Sequence, residues 1–245
     1  MAQFQICIAG HVAAVHSLFD STRDYCRHYL TEEKAEFHVT VDRLELEQEQ
    51  GNLEAEALEE GLRIRKFSDP FLERAVIQGK MARRLFDWDI LLMHGSTVAV
   101  DGEAYLFTAR CGTGKSTHTR LWRQVFGDRA VMVNDDKPFL EIREDGIIAH
   151  GSPWSGKHGL DSNISVPLKG ICILERGTEN RIQRIRPEAA LPMLLHQGGG
   201  PSEPEQKDRY RELVTLLAEK TALWHMECTK EPQAALTAYE AMSGK

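Results

Sequence analysis

The chain has 245 residues, 30 basic against 37 acidic, for a formal charge of −7, with 42% apolar and 27% charged residues. That apolar share supports one sizeable core or two smaller ones and excludes a disordered chain, while 19 Gly and 5 Cys exclude collagen-like and disulfide-scaffold classes. No window approaches the roughly 20 apolar residues of a membrane span, and the acidic balance argues against nucleic acid as a partner. The opening MAQFQICIAGHVAAVHSLFD lacks a basic n-region and a cleavage site, so a cytoplasmic protein without a membrane partner is expected. Cys7, Cys26, Cys111, Cys172 and Cys228 are odd in number and widely spaced, which does not read as a metal or disulfide framework; four read as small buried hydrophobes, and Cys111 stands apart by its place in the chain.

Residues 1–87 read as a small α+β region. Phe4–Ala9 and Phe37–Arg43 run apolar or alternate over strand lengths, and Leu62–Phe67 alternates cleanly, so each is expected as a strand. Leu44–Glu60 carries seven Glu and no basic residue around Gly51-Asn52, which reads as a solvated acidic loop or hairpin. Ser68-Asp69-Pro70 starts a helix, followed by apolar residues from Phe71 to Phe86 at helical spacing.

From Trp88 the pattern turns to strands. DILLMHG, STVAV and AYLFTA are short β-rich runs, with Asp101-Gly102 as the turn between the last two. A helix is expected over Lys115–Phe126, a strand over Arg129–Val133, and two strands, PFLEIRE and GIIAHG, joined by Asp145-Gly146. A strand at Lys169–Glu175, a helix at Pro187–His196, a flexible loop at Gln197–Lys207, a helix at Asp208–Lys220, a strand at Leu223–Cys228 and a helix at Pro232–Met242 complete residues 88–245. The mixture is an α/β class.

The segment that carries chemistry is LFTARCGTGKSTHT, Leu106–Thr119. It has the form of a P-loop whose first glycine is replaced by Ala109. Gly112 and Gly114 let backbone N–H groups turn inward around phosphate oxygens, and the following helix N-terminus adds its partial positive charge. The nucleotide-binding candidates are therefore Arg110, Cys111, Gly112, Thr113, Gly114, Lys115, Ser116 and Thr117. Lys115 would meet the β- and γ-phosphates, and Ser116 would ligate Mg²⁺. Twenty residues beyond Lys115, the apolar strand Val131–Val133 runs through Asn134 into Asp135-Asp136. One carboxylate there can hold metal while the other accepts a proton from an attacking hydroxyl. His94, ending LLMHG, is spaced to point into the same site. The loop Gly151–Gly159 offers Lys157 and His158 as charge for a phosphoryl group in transfer. His118 is as compatible with a solvated role as with a functional one.

Taken together, these residues resemble the HPr kinase and phosphoenolpyruvate carboxykinase group of P-loop enzymes over roughly residues 88–230. His94-Gly95, Ala109–Ser116 and Asp135-Asp136 follow that group's order. The resemblance implies a mixed sheet with flanking helices, ATP and Mg²⁺ as cofactors, and room for a second divalent metal. In HPr kinases a strand-end Asp is the base on an acceptor serine, a role that falls here on Asp135 or Asp136. In the carboxykinases a His in the place of His94 and an Asp of the pair bind a second metal with an upstream Lys. This makes Ser116, Asp136 and His94 the metal candidates and Lys80 a further one. Asn163–Leu168 stands where the carboxykinases have TR-x-x-YP, and GSPWSGKHG stands near the place of the HPr kinases' RGxG. The expected activity is transfer of the γ-phosphoryl group to a hydroxyl, serine of a protein or peptide first, with catalytic candidates Asp135, Asp136, Lys115, His94 and Lys157. A small-molecule or carboxykinase-like enzyme and a non-catalytic nucleotide sensor are the alternatives, and an oligomer is compatible with each.

Overall fold

A computed structural model of the chain describes residues 2–59, 61, 63–198, 200 and 204–244. The chain folds as two compact units, Met1–Asp87 and Trp88–Lys245.

In the first unit, β1 (Ala2–Ile8) and β2 (His11–Ser17) form an antiparallel hairpin, and β3 (Phe37–Thr40) pairs parallel with β2. A short helix, α1 (Asp20–Tyr25), follows β2. The acidic stretch expected as a loop is instead a helix, α2 (Arg43–Glu59); Glu60 lies outside the described residues. Two local causes act together. Asp42 Oδ1 accepts from the Glu45 N–H at 3.0 Å while Glu45 Oε2 accepts from the Asp42 N–H at 3.1 Å, a reciprocal capping box. Leu, Glu, Gln and Ala, which fill most of the stretch, are also strong helix formers. Residues 63–67 form no strand, and Leu62 lies outside the described residues. The Gln50 side chain satisfies this segment in place of a sheet, donating to the Arg65 carbonyl at 2.9 Å and accepting from the Phe67 N–H at 3.0 Å.

Helix α3 (Asp69–Phe86) begins after Ser68 and turns Leu72, Val76, Ile77, Met81 and Leu85 inward. Its Glu73 is fully buried because its carboxylate accepts the Leu18 N–H and the Thr22 hydroxyl at the start of α1. Hydrogen-bonded in this way, a buried polar side chain is tolerated.

The second unit is a curled mixed sheet with flanking helices. Its strands are β4 (Ile90–Leu92), β5 (Ser96–Val100), β6 (Glu103–Thr108), β7 (Ala130–Asn134), β8 (Phe139–Ile142), β9 (Ile147–His150), β10 (Ser165–Arg176), β11 (Arg181–Arg184) and β12 (Ala222–Cys228). Their order is β4-β8-β9-β10-β6-β5-β7, with β12 also on β10 and β11 on β12. The long β10 joins two patterns: its first residues pair antiparallel with β9, while the rest pairs parallel with β6 and β12.

Between β6 and β7 runs α4 (Lys115–Phe126), and α5 (Pro187–Gln197), α6 (Pro204–Lys220) and α7 (Gln233–Ser243) follow β11 and β12. Because α6 begins at Pro204, the loop expected to reach Lys207 is shorter, and residues 199 and 201–203 of it lie outside the described residues. Alternate residues of β6 and β10, namely Tyr105, Phe107, Cys172 and Leu174, join Leu121 and Trp122 of α4 and Ala234, Ala238 and Met242 of α7 in one buried cluster. This cluster anchors α4, and α4 positions the site. Among the described residues no helix is long and apolar enough to cross a membrane.

Candidate functional site

β6 ends at Thr108, and the chain turns through Ala109–Gly114 into α4. Ala109 is fully buried in the cluster under α4 and has none of the positive φ that glycine would be needed for, so its methyl is an anchor and leaves the loop intact. Gly114 precedes the first helical residue at φ 125°, a region that side chains avoid. The Thr113 N–H donates to the Arg110 carbonyl at 3.2 Å, which closes the turn. Arg176, at the end of β10, braces the loop from outside: its guanidinium donates to the Gly112 and Thr113 carbonyls. The side chains of Arg110 and Cys111 are exposed, and Lys115 is folded back with its ammonium donating to the Ala109 carbonyl at 3.1 Å.

The carboxylates stand at the end of β7 and differ in surroundings. Asp135 is 5% exposed, and its Oδ1 accepts from Ser96 Oγ at 2.6 Å and from Thr119 Oγ1 at 3.5 Å, which ties it to β5 and α4. Asp136 faces His94, with Oδ1 3.3 Å from Nε2. Burial pulls the His94 imidazole below its usual range despite its bond to Asp136, so it is neutral near pH 7. Burial pushes the Asp136 carboxyl up, but the hydrogen bond from His94 and the charges of Lys137 and Lys115 outweigh that and hold it below the usual carboxylate range.

Backbone clamps fix the pair. The Gly95 N–H donates to the Asp136 carbonyl at 3.0 Å, and Thr108 Oγ1 donates to the His94 carbonyl at 3.0 Å. Asn134, fully buried, organises the turn. Its amide oxygen accepts the N–H groups of Asp136 and Lys137 at 2.8 and 2.6 Å, and its amide nitrogen donates to the Ser152 and Trp154 carbonyls at 2.8 and 3.3 Å. The loop carrying Lys157 and His158 is thereby fastened to the carboxylates. Within it Gly156 has φ 67°, and a Cβ there would come 3.0 Å from that of Asp136.

The result is a cleft of about 700 Å3 that His94, Lys115, Ser116, Asp135, Asp136 and Lys157 all line. Gly112, Cys111, Gly114, Thr117 and His158 share its wall; Arg110 and Thr113 do not. Thr113, Gly114 and Thr117 border a smaller recess of about 320 Å3, together with Leu174, Arg176 and Cys228.

His118 is neither solvated nor on the larger cleft. It is buried, accepts the Trp122 Nε1–H at 3.1 Å, and burial drives its pKa down to about 4. Lys80, in the first unit, is ion-paired with Glu45 and donates to the Thr40 carbonyl. Sequence reasoning missed Ser96, Thr119, Asn134, Arg120, Arg123 and Arg176. Only the arginines left a signal: Arg120 and Arg123 recur one helical turn apart on the Ser116 side of α4.

Among the described residues no three His, Cys, Asp or Glu side chains converge as a metal-holding group. The oxygen donors on the cleft wall, the hydroxyls of Ser116 and Thr117 and two carboxylates, fit Mg²⁺ arriving with a nucleotide, since that ion takes one or two protein ligands and completes its shell with phosphate and water.

The fold and site define a mixed α/β protein with a Gly-rich loop facing paired carboxylates. No family model and no curated protein matches the chain. Among solved structures, the HPr(Ser) kinase/phosphatase from Coxiella burnetii is similar over 62% of this chain and 95% of that one, at 10% identity and a TM-score of 0.36. A likeness at that level decides nothing about chemistry, which rests on the residues themselves.

Proposed function

We propose that the protein is a Mg·ATP-dependent kinase that transfers the γ-phosphoryl group to a hydroxyl, with serine of a protein or peptide as the first acceptor to test. The observation that carries this reading is the shared cleft: Lys115 and Ser116 at the start of α4 face Asp135 and Asp136 at the end of β7. In this reading the loop amides and Lys115 hold the β- and γ-phosphates, and Thr117 lies towards the smaller recess, which takes the nucleoside. Mg²⁺, when bound, would neutralise charge between the phosphates.

Asp135 suits the metal side, because Thr119 holds it against α4 next to Ser116. Asp136 suits the base. It opens on the cleft beside neutral His94, and its depressed pKa keeps it ionised to accept the hydroxyl proton. The acceptor oxygen bonds to the γ-phosphorus as the β–γ bridge breaks, the proton goes to Asp136, and ADP leaves. Catalysis is then positioning and charge neutralisation.

The test is Lys115→Ala. A ligand that binds only the folded state raises its stability by RT ln(1 + [L]/Kd), or roughly 2.7 kcal/mol at a hundred times Kd. Native protein should show that thermal shift with Mg·ATP, and the variant should lose both the shift and turnover. An undiminished shift or turnover in the variant overturns the assignment.

A further inference from the structure

Arg120 and Arg123 line the same cleft as Lys115 and Asp136. With Ser116 they fall at positions i, i+4 and i+7, on one face of α4. At about 1.5 Å per residue they stand roughly 6 and 10 Å along the helix beyond Ser116. That is past the loop and helix N-terminus that would hold a triphosphate. The other edge of the helix start opens on the smaller recess, at His118 and at Thr117, which borders both hollows.

The cleft is also unlike the rest of this acidic chain. Four permanent cations, Lys115, Arg120, Arg123 and Lys157, line it against two carboxylates. One of those, Asp135, is already engaged by hydroxyls. Elsewhere in this unit arginines are typically spoken for, as Arg129 is by Asp101, Arg143 by Glu141 and Arg209 by Asp89 and Glu212. Among the described residues Arg120, Arg123 and Lys157 form neither an ion pair nor a side-chain hydrogen bond. Unpaired guanidinium forks in a concave wall match phosphate or carboxylate, which they bind through two parallel N–H···O bonds.

We propose that the acceptor carries an anionic group of its own, a phosphate or a carboxylate near the accepting hydroxyl, and that Arg120 and Arg123 receive it while Lys157 faces the transferring phosphoryl group. This rests on the kinase reading and specifies its substrate class. The phosphoryl group still passes from ATP to the acceptor oxygen, and the hydroxyl proton still goes to Asp136. The arginines set which molecule can bring its hydroxyl there.

The experiment has two readouts on native protein and Arg120→Ala/Arg123→Ala. In the first, inorganic phosphate is titrated onto protein saturated with a non-hydrolysable Mg·ATP analogue. Native protein should show a saturable rise in Tm that the double variant loses, with affinity for the analogue unchanged within twofold. In the second, matched acceptors compete: a serine peptide with a free terminal carboxylate against its amide, and glycerol 3-phosphate against glycerol. The anionic member of at least one pair should exceed its neutral partner at least tenfold in kcat/KM, and that preference should vanish in the double variant and return with Arg120→Lys/Arg123→Lys. The two pairs separate a carboxylate from a phosphate source. A phosphate response that survives in the double variant overturns the proposal, as does equal use, or no use, of anionic and neutral acceptors. Loss of analogue affinity in the double variant also overturns it, by assigning the arginines to the nucleotide. Failure of native protein to bind the analogue at all removes the kinase reading itself, and is seen separately.

Discussion

On one flank of α4, Ser116, Arg120 and Arg123 border a wide cleft opposite Asp136 and His94; on the other, Thr117 and His118 border a smaller recess with Leu174 and Cys228. The first flank gathers charge that the fold leaves unpaired. Beside Lys230 and Arg176, whose guanidinium the loop carbonyls engage, the second gathers apolar and neutral groups, and its histidine is kept uncharged by burial. A helix three turns long can therefore separate two chemistries, because residues three and four apart share a face while neighbours in sequence do not. The same division recurs in the adjacent aspartates. Asp135 turns inward to the hydroxyls of Ser96 and Thr119, and Asp136 turns outward to His94.

The most direct challenge to this division is to exchange the aspartates' roles. Asp136→Asn removes the proposed proton acceptor and should lower turnover on the order of 10²–10⁴-fold while Mg·ATP still binds. Asp135→Asn should instead weaken Mg-dependent nucleotide affinity. Kd and kcat measured for both variants decide it; the reverse pattern would reassign base and metal ligand.

The buried flank predicts a pH effect on stability. Native His118 takes up a proton only near pH 4, whereas the unfolded imidazole does so near 6.5. Between those values the unfolded chain holds more protons, so this contribution is intact above about pH 6.5 and is lost as pH falls towards 4, by roughly 3 kcal/mol. Urea midpoints at pH 7.5 and 4.5 should show a smaller acid loss in His118→Gln, which keeps an acceptor for Trp122, than in native protein. Equal losses would remove His118 from the account.

The smallest effect is expected where the second loop meets the cleft. Gly156→Ala places a methyl at positive φ, worth about 1–2 kcal/mol, and presses it against Asp136. Stability should fall by that amount, and turnover should fall further than stability alone explains. A variant with native kcat would show that Asp136 does not depend on this contact.

Much of the second unit was legible in the chain. Lys115–Phe126 carries its own start in Gly114-Lys115 and its apolar face in Leu121, Trp122 and Val125, so its helix could be read to the residue. The hairpins at Asp101-Gly102 and Asp145-Gly146 announce themselves because φ turns positive at those glycines. The first unit was harder. In α2 the Leu-Glu alternation up to Glu47 imitates a strand or loop, whereas the capping box of Asp42 and Glu45 decides for helix. The alternation of residues 63–67 was real but had no strand to pair with, and Gln50 took up its backbone groups.

Residue order alone suffices for the loop, its lysine and serine, and the closeness of two carboxylates, because those residues act through local backbone geometry and fixed spacing. It suffices too for an alanine at position 109 where glycine is usual, since the position needs no positive φ. Packing settles the rest: which aspartate faces His94, that Asn134 fastens the Lys157 loop to the pair, that Arg176 braces the Gly-rich loop, and that two arginines of α4 face the cleft unpaired. The reason is physical. Burial and hydrogen-bond partners are set by which strands the sheet brings side by side, and residues such as Ser96 and Asp135, thirty-nine apart in the chain, meet only once β5 lies next to β7.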